Sequence, residues 1–197
     1  INMPINLVEA IQKNLGYPPL KKVDPNTQEV KEQALTKTIL PEAFAQAAIP
    51  TVLTGLFLLV HTKDGAELVR AKKATSWIEP VFGKHSEGVV QKVATYASTD
   101  PAITRQEMEK IAGEAVRLAN ENASHSEKKE DVKLFFLNQR NNILSYLPAS
   151  LQLGDLLMDD TLDDRTNKMH GPMSDHMHFL EKIFSSSGEA PHNSLTW

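Results

Sequence analysis

Apolar positions recur along this chain at three- and four-residue spacing, punctuated by polar clusters that carry proline or glycine. Leu7, Val8, Ile11 and Leu15 share one helical face, with Asn6 three residues before Glu9 as a cap, and Gly16 with Pro18-Pro19 ends that helix. Asp24-Pro25 places a capping carboxylate before a proline at the first helical position and opens a more polar helix to about Leu35. The most apolar segment, about Pro41 to His61, is expected to break or kink at Pro50, where the N–H is missing and the ring meets the preceding turn. Asp64, three residues before Glu67, starts another helix that reads through to about Trp77–Pro80. Gly83 leads into a helix whose inner face is Val89, Val90, Val93 and Ala97, closed by the turn Thr99-Asp100-Pro101.

Thr104 and Glu107 form the clearest capping box, opening a long helix with Met108, Ile111, Ala115 and Leu118 inward. Asn120 to Lys129 reads as a loop. Val132, Phe135, Phe136, Ile143, Leu144 and Leu147 then suit a helix that Pro148 ends, and Ser174 opens a last short one containing Met177, Leu180, Ile183 and Phe184. Two-residue alternation is nowhere sustained, so strands are not expected. The pattern predicts an all-α protein, a compact irregular bundle of about seven to nine helices. One domain is expected over residues 1–184, any subdivision falling near 120–128, with residues 185–197 as a flexible C-terminal tail.

Composition removes several function classes. The chain has no cysteine, which excludes disulfides, thiolate metal sites and cysteine nucleophiles and fits a cytoplasmic location. Net charge is −4 and the largest basic cluster is Arg70, Lys72 and Lys73, read as a solvated helix face, so nucleic-acid binding is not expected. No basic region followed by an apolar run opens the sequence, so a signal peptide is not expected, although residue 1 is Ile. Ala43 to Thr62 is twenty residues without a charge, which raises a membrane span; Gln46, Pro50, Thr51, Thr54 and Gly55 within it favour a buried central helix.

Ala48-Ile-Pro-Thr-Val-Leu-Thr-Gly-Leu-Phe, from 48 to 57, is followed by Lys63-Asp-Gly-Ala-Glu-Leu, from 63 to 68. This stretch resembles a pattern in the bacterial YidB-like family of unknown function, where an apolar helix with a central proline and a Gly-Leu pair precedes a short polar turn and a Gly-Ala-x-x-Leu helix start. Phe82-Gly83-Lys84 and Val89-Val90-Gln91-Lys92, within Ile78 to Val93, are similar to that family's next helix pair. The resemblance spans roughly residues 3–120 and implies a helical fold in a bacterial protein. It departs where the family carries a glycine-rich apolar helix and this chain has the charged stretch Glu107 to Asn122. It brings no catalytic residues.

Candidate chemistry concentrates late in the chain. Asp155, Asp159, Asp160, Asp163 and Asp164 lie between Arg140 and Arg165 with no basic residue among them, followed by His170, Asp175, His176 and His178. Carboxylates and imidazoles are divalent-metal ligands, so Asp159, Asp160, Asp163, Asp164, His170 and His176 form a candidate metal site. The spacing lacks the Asp-x-Asp-x-Asp-Gly calcium loop, and on a helix His176 and His178 point about 200° apart. Caps and local charge balance with Arg165 and Lys168 account for the same residues. No nucleophile elbow, phosphate loop or dinucleotide fingerprint occurs, Glu127 and Glu130 lack any sign of burial, and no cofactor is expected. His61 reads as a helix-end cap or satisfied core residue, Trp77 as core and Trp197 as exposed. The function expected is a non-catalytic binding or scaffold protein acting on itself or another protein; the alternative is a metal-binding module or metal-dependent enzyme using residues 155–178.

Overall fold

The most apolar segment of the chain becomes the axis of the fold. A computed structural model describes residues 5–23, 40–123 and 129–154. Its α-helices are α1 (Leu7–Asn14), α2 (Leu40–Val60), α3 (Gly65–Ala71), α4 (Ile78–Phe82), α5 (Ser86–Ala97), α6 (Pro101–Asn122) and α7 (Lys129–Leu144), with 3₁₀ turns at Gly83–His85 and Ala149–Leu151. The protein is all-α, and the described residues contain no strand. Helix α2 touches every other α-helix named here. A helix that is apolar on all sides has no solvent face to present, so its neighbours must enclose it. Ala47, Ala48, Ile49, Val52, Leu53, Leu56 and Val60 have no solvent exposure.

Helix α2 passes through Pro50 without a break. A proline inside a helix costs about 3 kcal/mol. Burial of apolar side chains on both sides of it, at about 1.5–3 kcal/mol for each large one, outweighs that. Small residues let the neighbours approach closely. A methyl group on Gly55 would overlap the Val81 and Phe82 side chains of α4. A methyl on Gly65 would strike the backbone carbonyl of Leu59 at the corner between α2 and α3.

That corner is built by Thr62, whose hydroxyl donates to Leu59 O at 2.8 Å and accepts from Gly65 N at 2.9 Å. Asp64, expected as the cap, makes no side-chain capping bond, because Thr62 already serves the first turn of α3. Helix α3 stops at Ala71, well short of Trp77, where Lys72 takes the left-handed conformation with φ 51°. Trp77 is core, as expected, and precedes the short α4, which with the 3₁₀ turn at Gly83–His85 separates α3 from α5.

The capping box expected at Thr104 and Glu107 is displaced by one turn. Asp100 accepts from Ala102 N and Ile103 N, Pro101 occupies the first helical position, and Thr104 is fully buried with its hydroxyl 2.8 Å from that of Thr99. An Asp-Pro pair supplies both a cap acceptor and a preset φ, and it prevails over the later Thr-Glu pair. Helix α6 also continues to Asn122, into the segment read as a loop. At the other end of the fold, α1 forms as the sequence indicates. Asn6 Oδ1 accepts from Val8 N and Glu9 N, and Gly16 with φ 72° closes the helix as Gly16 N and Tyr17 N bond back to Lys13 O and Gln12 O. The helices expected at Asp24–Leu35 and from Ser174, and the tail, lie outside the described residues.

The Gly65 corner yields the first prediction. Gly65→Ala forces backbone against backbone and should lower unfolding stability by about 3 kcal/mol or more. Gly113→Ala, mid-helix in α6 with nothing within 4 Å of the added carbon, should raise it by about 0.5–1 kcal/mol. Urea unfolding of both variants checks the pair; equal effects would contradict the packing described.

Candidate interaction surface

The described residues that carry hydrogen-bonding or titratable chemistry serve mainly to tie segments together. Gln139, buried on α7, accepts from Leu7 N at 2.9 Å through Oε1 and donates from Nε2 to Ile5 O at 2.8 Å. One side-chain amide thus satisfies both sides of the backbone entering α1. Gln46 on α2 does the same for the extended segment after α1: its Oε1 accepts from Lys21 N at 2.8 Å, and its Nε2 donates to Lys21 O at 2.9 Å and Tyr146 O at 2.7 Å. Val23 N donates to Ser145 O at 2.7 Å, and the Tyr146 hydroxyl donates to Glu9 at 3.2 Å. The N-terminal segment is therefore fastened to the C-terminal end of α7.

Charged groups follow the same logic. Glu109 of α6 accepts from Ser76 Oγ, Trp77 N and Ile78 N, capping α4 from a neighbouring helix. The Tyr17 hydroxyl donates to Glu107 at 2.8 Å; burial, then the bonded carboxylate, push its pKa up, while Lys110 and Tyr17 hold the Glu107 carboxyl below its ordinary range. Arg117 joins Glu114 and Glu121 on the surface of α6. His61 sits at the end of α2 with Nδ1 2.7 Å from Phe57 O and its ring against Phe57. Burial lowers its pKa despite that hydrogen bond, and nearby Lys133 adds to the lowering. It acts as a helix-end cap, one of the two roles read from its position.

The candidate metal ligands Asp159, Asp160, Asp163, Asp164, His170 and His176 lie outside the described residues, as do Trp197 and Glu127. Among the described residues no group of three or more His, Cys, Asp or Glu side chains is arranged to hold a metal ion. Arg70, in the basic cluster, points its guanidinium at Asn120 of α6, while Lys72 and Lys73 are exposed. Helix α2 contains, among the described residues, the one stretch long and apolar enough to cross a membrane, Pro41–Val60, and most of it is buried inside the protein.

What sequence reading missed is an apolar surface. Val132, Phe135, Phe136, Gln139 and Ile143 of α7 face the core, yet Leu134 and Leu137 on the opposite side are 56% and 48% exposed. Leu144 and Leu147 are half-buried. The signal was present: α7 carries apolar residues on two opposed faces, and a single core needs only one of them. Ile103, at 58%, is the remaining large exposed hydrophobic of the described residues and stands on a different helix. The comparisons with known proteins leave this surface to be read on its own terms: no family model, curated protein or solved structure matches the chain.

The Gln139 clamp gives a second prediction. Gln139→Leu strands Leu7 N–H and Ile5 C=O and should cost about 2–4 kcal/mol in unfolding free energy. Thermal and urea unfolding measure it; a loss below about 0.5 kcal/mol would mean that the clamp does not hold α1 in place.

Proposed function

We propose that this protein is a non-catalytic helical module that works by protein–protein contact, with the outer face of α7 as its contact surface. The single observation behind this reading is the solvent exposure of Leu134 and Leu137 on a helix whose other side is already packed into the core. Singly exposed leucines are ordinary on protein surfaces, but two at i and i+3 on one helix face make a contiguous apolar strip, the kind of surface that protein contacts cover. The polar groups of Gln46, Gln139, Glu109 and Thr62 cap and tether segments, and among the described residues this strip is not used by the fold itself. The partner is this chain or another protein.

The complete chain, in this reading, forms a bundle of seven to nine helices, the described ones together with those expected at Asp24–Leu35 and from Ser174. The similarity of residues 48–57 and 63–68 to the YidB-like pattern supports a helical protein of bacterial type and adds no chemistry.

Site-directed photo-crosslinking tests the contact surface. A benzophenone side chain at position 137, in protein expressed at its normal level in living cells, should give protein adducts, and the same group at exposed Gln91 of α5 should give few. Adding Leu134→Lys should abolish the adducts at 137. Equal adduct yields at 137 and 91, or adducts at 137 that survive Leu134→Lys, would overturn this reading.

A further inference from the structure

The spacing along the exposed face of α7 identifies its occupant more narrowly. Leu134, Leu137, Asn141 and Leu144 follow one another at three, four and three residues, which is the a, d, a, d seam of a heptad repeat. Leu134, Leu137 and Asn141 are exposed and Leu144 is half-buried, so the seam runs along the outside of the bundle. The positions that would be solvent-facing in a free coiled coil are here the ones turned inward: Phe135 and Phe136 at b and c, Gln139 at f, Ile143 at c. Pairing along this seam therefore leaves the core and the Gln139 clamp undisturbed.

We propose that a second copy of this chain covers this face, α7 pairing in parallel with α7 of the other copy about a two-fold axis. The proposal rests on the reading of this face as a protein-contact surface and names the partner. One feature of the seam selects the chain's own copy, a second sets the direction of the pair, and a third limits its length. The first is Asn141 at an a position. A buried carboxamide needs a polar partner in the same layer between apolar layers, and across a parallel two-fold its own copy supplies one, each amide both donating and accepting. The second is the pattern of flanking charge. Lys133 and Arg140 occupy g positions, while Asn138 and Ser145 occupy e. In a parallel pair each g residue meets the e residue five positions on in the other copy, Lys133 with Asn138 and Arg140 with Ser145, and no like charges oppose. An antiparallel pair sets g against g and brings the cations together, which costs energy. The third is the limit at the N-terminal end. Glu130 takes the preceding d position and is exposed, so two carboxylates would meet there and the seam opens.

From Leu134 to Leu144 the seam is about 16 Å long. Such a short contact makes the pair reversible and dependent on concentration, as small interfaces are.

Cysteine cross-linking tests this, because the chain has no cysteine of its own. Leu134→Cys, Leu137→Cys and Leu144→Cys are made singly in the full chain, with Gln91→Cys as control, and each is oxidised mildly at high protein concentration. Equivalent residues in a parallel pair lie within disulfide reach. Each seam variant should give at least about tenfold more covalent dimer than the control, the three to similar extents. Alkylation of Leu134→Cys in dilute protein should be fast, as expected for an exposed thiol. Asn141→Asp should lower dimer yield from Leu137→Cys at least about tenfold by placing two carboxylates in one layer, while thermal stability at low concentration stays at the wild-type value.

Dimer yields no higher than the control overturn the proposal, and so does slow alkylation at 134 in the monomer, which would mean that the chain covers its own seam. Linkage of 134 only to 144, in a mixture of the two variants, overturns the parallel arrangement. With control-level dimer yields, or with linkage of 134 only to 144, adducts at 137 in the cellular photo-crosslinking experiment would still support a protein contact at this face, so the two readings fail separately; slow alkylation at 134 overturns both.

Discussion

Enclosure of α2 is the constraint on which the rest of the structure depends. A 21-residue helix that is apolar on every side cannot stand against water, and each described helix contributes a face to cover it. Gly55 lets α4 approach it closely, and Ala45, Ala47 and Ala48 are buried along it. The Thr62–Gly65 corner sets the direction in which the chain leaves it. Pro50 is tolerated for the same reason: in an element buried on all sides, the packing on either side of one missing hydrogen bond holds the helix together.

A central helix of this kind has consequences for the elements around it. Helix α1 and the extended segment after it reach the core only if their backbone polar groups are satisfied there, and Gln139 and Gln46 do this with paired side-chain amides. These two glutamines act as local substitutes for a strand partner. Helix α7 gives its inner face to α2 and is also the wall to which the N-terminal segment is tied. Its outer leucines are left over from that arrangement. A helix already ordered on one side by core packing and hydrogen bonds loses little further conformational freedom when its free face is covered.

Much of this fold was legible in the sequence, for local reasons. The cap at Asn6, the stop at Gly16 and the inward faces of α5 and α6 follow from residue type and spacing alone, and they appear where those rules put them. Errors arose where two local signals competed. Asp100-Pro101 and Thr104–Glu107 are both helix starts, and the pair that also fixes φ prevailed, leaving Thr104 in the core. Asp64 was a plausible cap until the hydroxyl of Thr62, brought round by the end of α2, reached Gly65 first. Lys72 ends α3 in a conformation usually left to glycine, which no side-chain pattern announces. The outward strip on α7 was hidden by its own richness: with leucine and phenylalanine at 134 to 137, an inward face is easy to assign and a second one easy to overlook. The Asp- and His-bearing residues from 155 to 178 stand outside the described fold.

Native-state hydrogen exchange of the amides in α2 tests the enclosure most directly. In detergent-free solution, Val52 to Leu59 should exchange only through global unfolding, with a free energy equal to that from urea denaturation and at least as high as that of any amide in α6 or α7. Exchange of those amides through local openings, at a lower free energy than the amides of α6, would contradict a fold built around α2.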